Sequence, residues 1–121
     1  MEYFKSGQCV TFQNPGFYSE QLLFPENSRS ERITITRVAV EPGCTNQKHR
    51  HQSSEQAWIA LHGQGMVLLK GGEELAFSEG DVVRFSDGEE HGFRNNSDKA
   101  FVYLSVTSPP ANFRSSYQHS K

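Results

Sequence analysis

Glycine, asparagine and proline interrupt this chain too often for long helices. From the middle onward the breaks fall at Gly63-Gln64-Gly65, Gly71-Gly72, Ser78-Glu79-Gly80, Ser86-Asp87-Gly88, Asn95-Asn96-Ser97-Asp98 and Pro109-Pro110. They recur about every 7–12 residues, the rhythm of short antiparallel strands joined by tight turns. Strand formers fill the gaps, at Met66 to Leu69, Leu75 to Phe77, Val82 to Phe85 and Phe101 to Val106. Upstream, Ile33-Thr34-Ile35-Thr36-Arg37-Val38-Ala39-Val40 is β-branched almost throughout. It stops at Glu41-Pro42-Gly43, where proline removes a ladder donor and glycine permits a turn. No stretch of a dozen residues repeats apolar side chains at helical spacing without a glycine. The pattern predicts an all-β fold, a sandwich or barrel of many short strands.

At 121 residues the chain has the size of one domain, and no internal repeat divides it. The reading is a single domain over 1–121, with its core at about residues 30–107. The aromatic-rich segment 1–29 supplies N-terminal strands, with Asn14-Pro15-Gly16 as a turn and Phe17 to Phe24 as a strand. Residues 108–121 read as a polar tail. Twelve Lys and Arg against fourteen Asp and Glu leave a net charge of −2. That balance argues against nucleic acid or a membrane surface as a partner. No apolar run approaches the ~18–20 residues of a transmembrane helix, and Met1-Glu2-Tyr3-Phe4-Lys5 lacks the basic-then-apolar order of a secretion signal. A cytoplasmic protein is expected. Cys9 and Cys44 match no paired zinc spacing and read as free thiols, with one disulfide as the other possibility.

Two of the five histidines form His49-Arg50-His51. On an extended strand alternate side chains share a face, with their Cα atoms about 7 Å apart. That span lets two imidazoles converge on one metal ion at ~2.0–2.1 Å each. Alone, such a pair reads equally well as two polar residues at a strand end. The surroundings are more specific. They run Gly43, five residues, His49-Arg50-His51, four residues, Gln56, six residues, Gly63. Further on come Gly80, five residues, Ser86-Asp87-Gly88, two residues, His91, three residues, Asn95. These segments resemble the first and second motifs of the cupin superfamily, in the right order. The sequence departs from the pattern twice: Gln56 stands where glutamate is usual and Ser86 where proline is usual.

The resemblance implies a double-stranded β-helix, a jelly-roll barrel of two antiparallel sheets, holding one divalent metal ion per chain. Carried over position by position, the metal ligands are His49, His51, Gln56 and His91. Glu55 is a rival to Gln56, since the family also allows three residues after the second histidine. The six residues to Gly63 fit only Gln56, and cupins of pectin breakdown with a Glu-Gln pair here use the glutamine. Imidazole-rich sites suit Zn, Ni, Fe or Cu, and the sequence does not distinguish among these or Mn. Strand alternation places Trp58 with Gln56 and Phe93 with His91, so Trp58, Phe93 and Tyr103 are the candidate pocket residues. Tyr103 is also the candidate for proton transfer, although for each of these aromatics plain core is the more ordinary reading. The expected activity is that of an enzyme using the metal as a Lewis acid on a small carbonyl- or carboxylate-bearing, sugar-acid-like molecule, as isomerase, lyase or dioxygenase. The alternative is a non-catalytic cupin that binds or senses a small ligand. A homodimer is expected, because small cupins pair through their sheets and the first 24 residues are too apolar for a free tail.

Overall fold

The computed structural model describes residues 1–110. Ten strands follow one another: β1 (Val10–Asn14), β2 (Phe17–Leu23), β3 (Thr34–Val40), β4 (Thr45–His49), β5 (Glu55–His62), β6 (Gln64–Leu69), β7 (Glu74–Ser78), β8 (Val82–Phe85), β9 (His91–Arg94) and β10 (Phe101–Ser108). A 3-10 turn at Lys70–Gly72 joins β6 to β7. The strands form a six-stranded sheet in the order β1-β2-β3-β10-β5-β8 and a four-stranded sheet in the order β4-β9-β6-β7. Every pairing is antiparallel. This is the expected two-sheet jelly roll. No helix among the described residues is long and apolar enough to cross a membrane.

The turns predicted from sequence sit where they were expected, and Gly63 shows why glycine is needed. Its φ is +89°, and a Cβ there would lie 2.8 Å from the carbonyl oxygen of Ala100. No other residue fits both constraints. Ser86, the departure from proline, also has a local reason. Its backbone N–H donates to Glu89 Oε1 at 2.9 Å, closing the turn with a bond that proline lacks the hydrogen to make.

Both ends of the described chain join the large sheet. The six-stranded sheet begins at β1, well before residue 30, because β2 pairs with β3 along its length and buries Ser19 and Gln21. β1 and β2 thus extend the chain's own large sheet. At the other end, β10 runs to Ser108 and Ser54 Oγ donates to the carbonyl of Pro109. The rest of the expected tail, 111–121, lies outside the described residues.

The inner face of the large sheet changes character along the strands. β3 turns Thr34, Thr36, Val38 and Val40 inward, and β10 turns Phe101, Tyr103, Ser105 and Thr107 inward. Antiparallel register sets Val40 beside Phe101 and Val38 beside Tyr103, then Thr36 beside Ser105 and Thr34 beside Thr107. The neighbouring strands extend the same rows, with Gln21 beside Thr36 and Gln56 beside Thr107. One half of the barrel is therefore apolar and carries the core of Val40, Val67, Phe77, Phe93 and Phe101. The other half presents hydroxyls and amides. A buried hydroxyl without a partner costs about 1–3 kcal/mol, so a polar wall of this kind marks the half built for function.

Candidate metal centre

His49 is the last residue of β4, His51 lies two residues beyond it, and His91 opens β9. Antiparallel register sets His49 directly opposite His91. The three rings converge, with centroids 5.1 Å apart for His49 and His51, 4.7 Å for His49 and His91, and 5.8 Å for His51 and His91. One nitrogen from each lies within 4.8 Å of the others. Gln56 reaches the same point from β5 of the facing sheet, with its Oε1 3.1 Å from His91 Nε2.

Hydrogen bonds fix which atoms face inward. Trp58 Nε1 donates to one end of the Gln56 amide at 2.8 Å. Indole N–H is a donor only, so that end must be the oxygen. The amide nitrogen then donates to Thr107 Oγ1 at 2.7 Å. His91 gives its Nδ1 proton to the carbonyl of Glu89 at 2.8 Å, and His49 gives its own to the carbonyl of Gln47 at 3.0 Å. Both rings therefore present a bare Nε2 when neutral, which is the outer support that metal-binding imidazoles ordinarily have. His91 is further held by stacking on Phe85, 4.0 Å away and 7° from parallel.

The result is an electrostatic conflict. The lone pair of neutral His91 Nε2 points at the lone pairs of Gln56 Oε1. Protonating His91 would relieve it, but burial pushes His91 down to about 4, against the pull of the Glu89 carbonyl and with help from His49 and His51. Burial, and then His49, push His51 down to about 4 as well. A divalent cation resolves the conflict without a proton. Two donors at ~2.1 Å from one ion, at a tetrahedral angle, stand about 3.4 Å apart, near the 3.1 Å between His91 Nε2 and Gln56 Oε1. The donor set fits a metal.

The remaining sequence candidates divide. Glu55 points the other way, with its carboxylate exposed and 3.5 Å from Arg84 Nη1, so it does not join the cluster. Trp58 and Tyr103 line a cavity of about 530 Å³ that opens from the histidines. Their rings lie 4.5 Å apart. Phe93 does not line it. It is fully buried in the apolar half, stacked 4.3 Å from Phe101, because the short β9 turns His91 and Phe93 inward at successive rows of which only the first is polar. The cavity wall adds Thr36, Val38, Ser105, Asn46 and Phe17, with Asn14 and Pro15 of the β1–β2 turn at its rim. Ser105 shares the inner face of β10 with Tyr103, whereas Thr36 went unnoticed in the sequence. The clue was the change from Thr to Val along the inner face of β3. Asn95, the last residue of the second motif, is structural: its amide donates to the carbonyls of Val40 and Lys99.

The family model described as a cupin domain matches residues 36–107. The chain belongs to the cupin family. No protein of curated function matches the sequence. Among solved structures, this cupin is similar to KdgF from Halomonas sp., with a TM-score of 0.79 at 18% identity, covering 93% of this chain and 99% of that one. It is similar to a predicted oxalate decarboxylase from Thermotoga maritima, with a TM-score of 0.74 at 21% identity, covering 90% and 100%. It is also similar to ectoine synthase from P. lautus, with a TM-score of 0.76 at 16% identity, covering 90% and 75%. At these identities the likeness establishes the fold.

Proposed function

We propose that this cupin is a metal-dependent enzyme acting on a small polar molecule that bears a carbonyl or carboxylate, of the sugar-acid kind. The reaction class is isomerisation, elimination or ring opening. The observation that carries the reading is that both His91 nitrogens face oxygens, Glu89 O at 2.8 Å and Gln56 Oε1 at 3.1 Å, although the neutral ring has one proton, and that two more imidazoles stand beside them. Fold neighbours carry names as different as decarboxylase and synthase, so activity is argued from the site.

A divalent ion held by three neutral imidazoles and one amide oxygen would keep its 2+ charge and act as a Lewis acid on a bound oxygen. The chain's own residues do the rest. Ser105 offers a hydroxyl and Asn46 an amide to the ligand's oxygens along the cavity wall, while the Thr36 hydroxyl donates to Gln21 Oε1 at 3.1 Å. Trp58 and Tyr103 give it flat apolar surfaces. No carboxylate belongs to the described wall, which spares an anionic ligand repulsion. Lys48 turns its ammonium outward to the Leu69 carbonyl and Glu90, at 3.4 and 3.8 Å, so the histidine end is where negative charge is best received. Tyr103 is the residue proposed to transfer the proton.

The test begins with elemental analysis of purified protein, followed by a screen of sugar acids and hydroxy-ketones under air and under argon. Turnover that persists under argon and is lost in His91→Ala is the expected result. Turnover that requires air would assign a dioxygenase. Saturable binding without turnover would make the protein a ligand-binding cupin, and failure to take up any divalent metal would overturn the reading.

A further inference from the structure

Between Asn46 and His49 the β4–β9 ladder loses step. Asn46 lies opposite Phe93 and His49 opposite His91, so Gln47 and Lys48 together face the one residue Gly92. This is a β-bulge, and it decides which side chain enters the barrel. Regular pairing from Asn46 would set Lys48 opposite His91 and turn it inward. His49 would then fall opposite Glu90, on the outer face. The extra residue brings His49 in instead. The bulge also supplies the carbonyl of Gln47, which takes the His49 Nδ1 proton at 3.0 Å and leaves Nε2 bare.

Gly92 is the residue that lets the bulge close. A Cβ on it would lie 2.6 Å from Asn46 O, 2.9 Å from Lys48 N and 3.0 Å from Gln47 C. All three are backbone atoms, so no flexible side chain can swing away to make room. Gly92 is not among the glycines with positive φ. Space, not backbone conformation, is what calls for glycine here.

We propose that Gly92 is a positioning residue of the metal centre: by admitting the Gln47–Lys48 bulge, it sets the register of His49 and the tautomer of its ring. The proposal rests on the metal-binding reading, and its test separates the two. In chelator-treated protein, nitrogen–proton correlation spectra of the histidine rings report tautomers with no metal present. Wild type shows Nδ1–H at His49 and at His91. In Gly92→Ala, His91 keeps that form through Glu89, whereas His49 reverts to the Nε2–H form favoured by a solvated imidazole. Zinc affinity, from competition with a coloured chelator, falls about ten- to a hundredfold, as for other lost supports of a metal ligand.

A second variant guards against simple misfolding. Deleting Gln47 in the Gly92→Ala background restores one-to-one pairing while keeping His49 opposite His91, so the zinc affinity lost through register returns, while the part owed to the Gln47 carbonyl does not. An unchanged His49 tautomer with zinc affinity within twofold of wild type overturns the proposal, as does a deletion variant that folds and binds zinc no better than Gly92→Ala. If wild type takes up no zinc while Gly92→Ala still changes the His49 tautomer, the metal reading fails and the positioning of His49 stands.

Discussion

Acid should unfold the metal-free protein more easily than its carboxylates alone would predict. The unfolded chain takes up a proton on His91 near 6.5, and the folded chain only near about 4. Across that window the unfolded state binds more protons, so stability present above pH 6.5 is lost as pH falls toward 4. At about 1.4 kcal/mol per pH unit, His91 accounts for about 3 kcal/mol at the limit and about 2 kcal/mol by pH 5. His91 is 1% exposed, so solvent screening takes little from this figure. His51, also lowered to about 4 but half-buried, adds about 1 kcal/mol after screening. The combined loss of about 3 kcal/mol is a large share of the ~5–15 kcal/mol that holds a domain together. It should lower Tm by roughly 10 °C. The assay is urea unfolding of chelator-treated protein at pH 7.5 and pH 5, followed by circular dichroism, with His91→Gln beside wild type. The variant should lose about 2 kcal/mol less than wild type between the two conditions. Equal losses in the two proteins would refute the argument, because His91 would then titrate alike in both states.

Gln56→Glu should retain the metal and bind it about tenfold more tightly, since Thr107 can turn its hydroxyl to donate to the new carboxylate and the added charge attracts the ion; calorimetric titration with zinc measures this. Glu55→Ala should leave zinc affinity within about twofold, because its carboxylate faces Arg84 outside the barrel, and the reverse pair of results would move the ligand by one residue. Trp58→Phe removes the donor that holds Gln56 Oε1, and should weaken zinc about tenfold while costing about 1 kcal/mol of stability in urea unfolding. The proposed homodimer, which would cover exposed apolar residues such as Tyr3 and Val10, should appear as twice the chain mass by light scattering at micromolar concentration; a monomer mass counts against it.

Much of the site was legible because metal ligands need fixed residue types at fixed spacing. Gln56 was preferred to Glu55 on the six residues that separate it from Gly63, a spacing read locally, and its Oε1 does face His91. The β4–β9 bulge was not legible, since nothing in Thr45-Asn46-Gln47-Lys48 announces an extra residue and its cause, Gly92, lies on another strand. His49 and His51 were expected to share one face of a continuous strand. In fact β4 ends at His49, and His51 reaches the cluster from the segment beyond. Phe93 took its core reading and not its pocket one, because alternation tells inside from outside but not which row of the barrel a residue enters. That depends on the register of β9 against β6, where Phe93 meets Val67.

His49 and His91 belong to the small sheet and Gln56 to the large one, so the cluster lies on the seam between the two halves of the sandwich. An ion seated there works as a cross-link. It would tie the sheets together as a disulfide ties two strands, and its binding free energy would add to the cohesion of the whole barrel. The same coupling runs backward. Phe93 and Phe101 stack across that seam in the apolar half, and they act as the spacer that sets how far apart the sheets stand. A smaller residue at either position would let the sandwich close or skew, and the distance from Gln56 Oε1 to the imidazoles would change with it. Metal preference in this protein is therefore expected to respond to substitutions that touch no ligand, and ranking zinc against nickel in a Phe93→Leu variant is the direct way to read it.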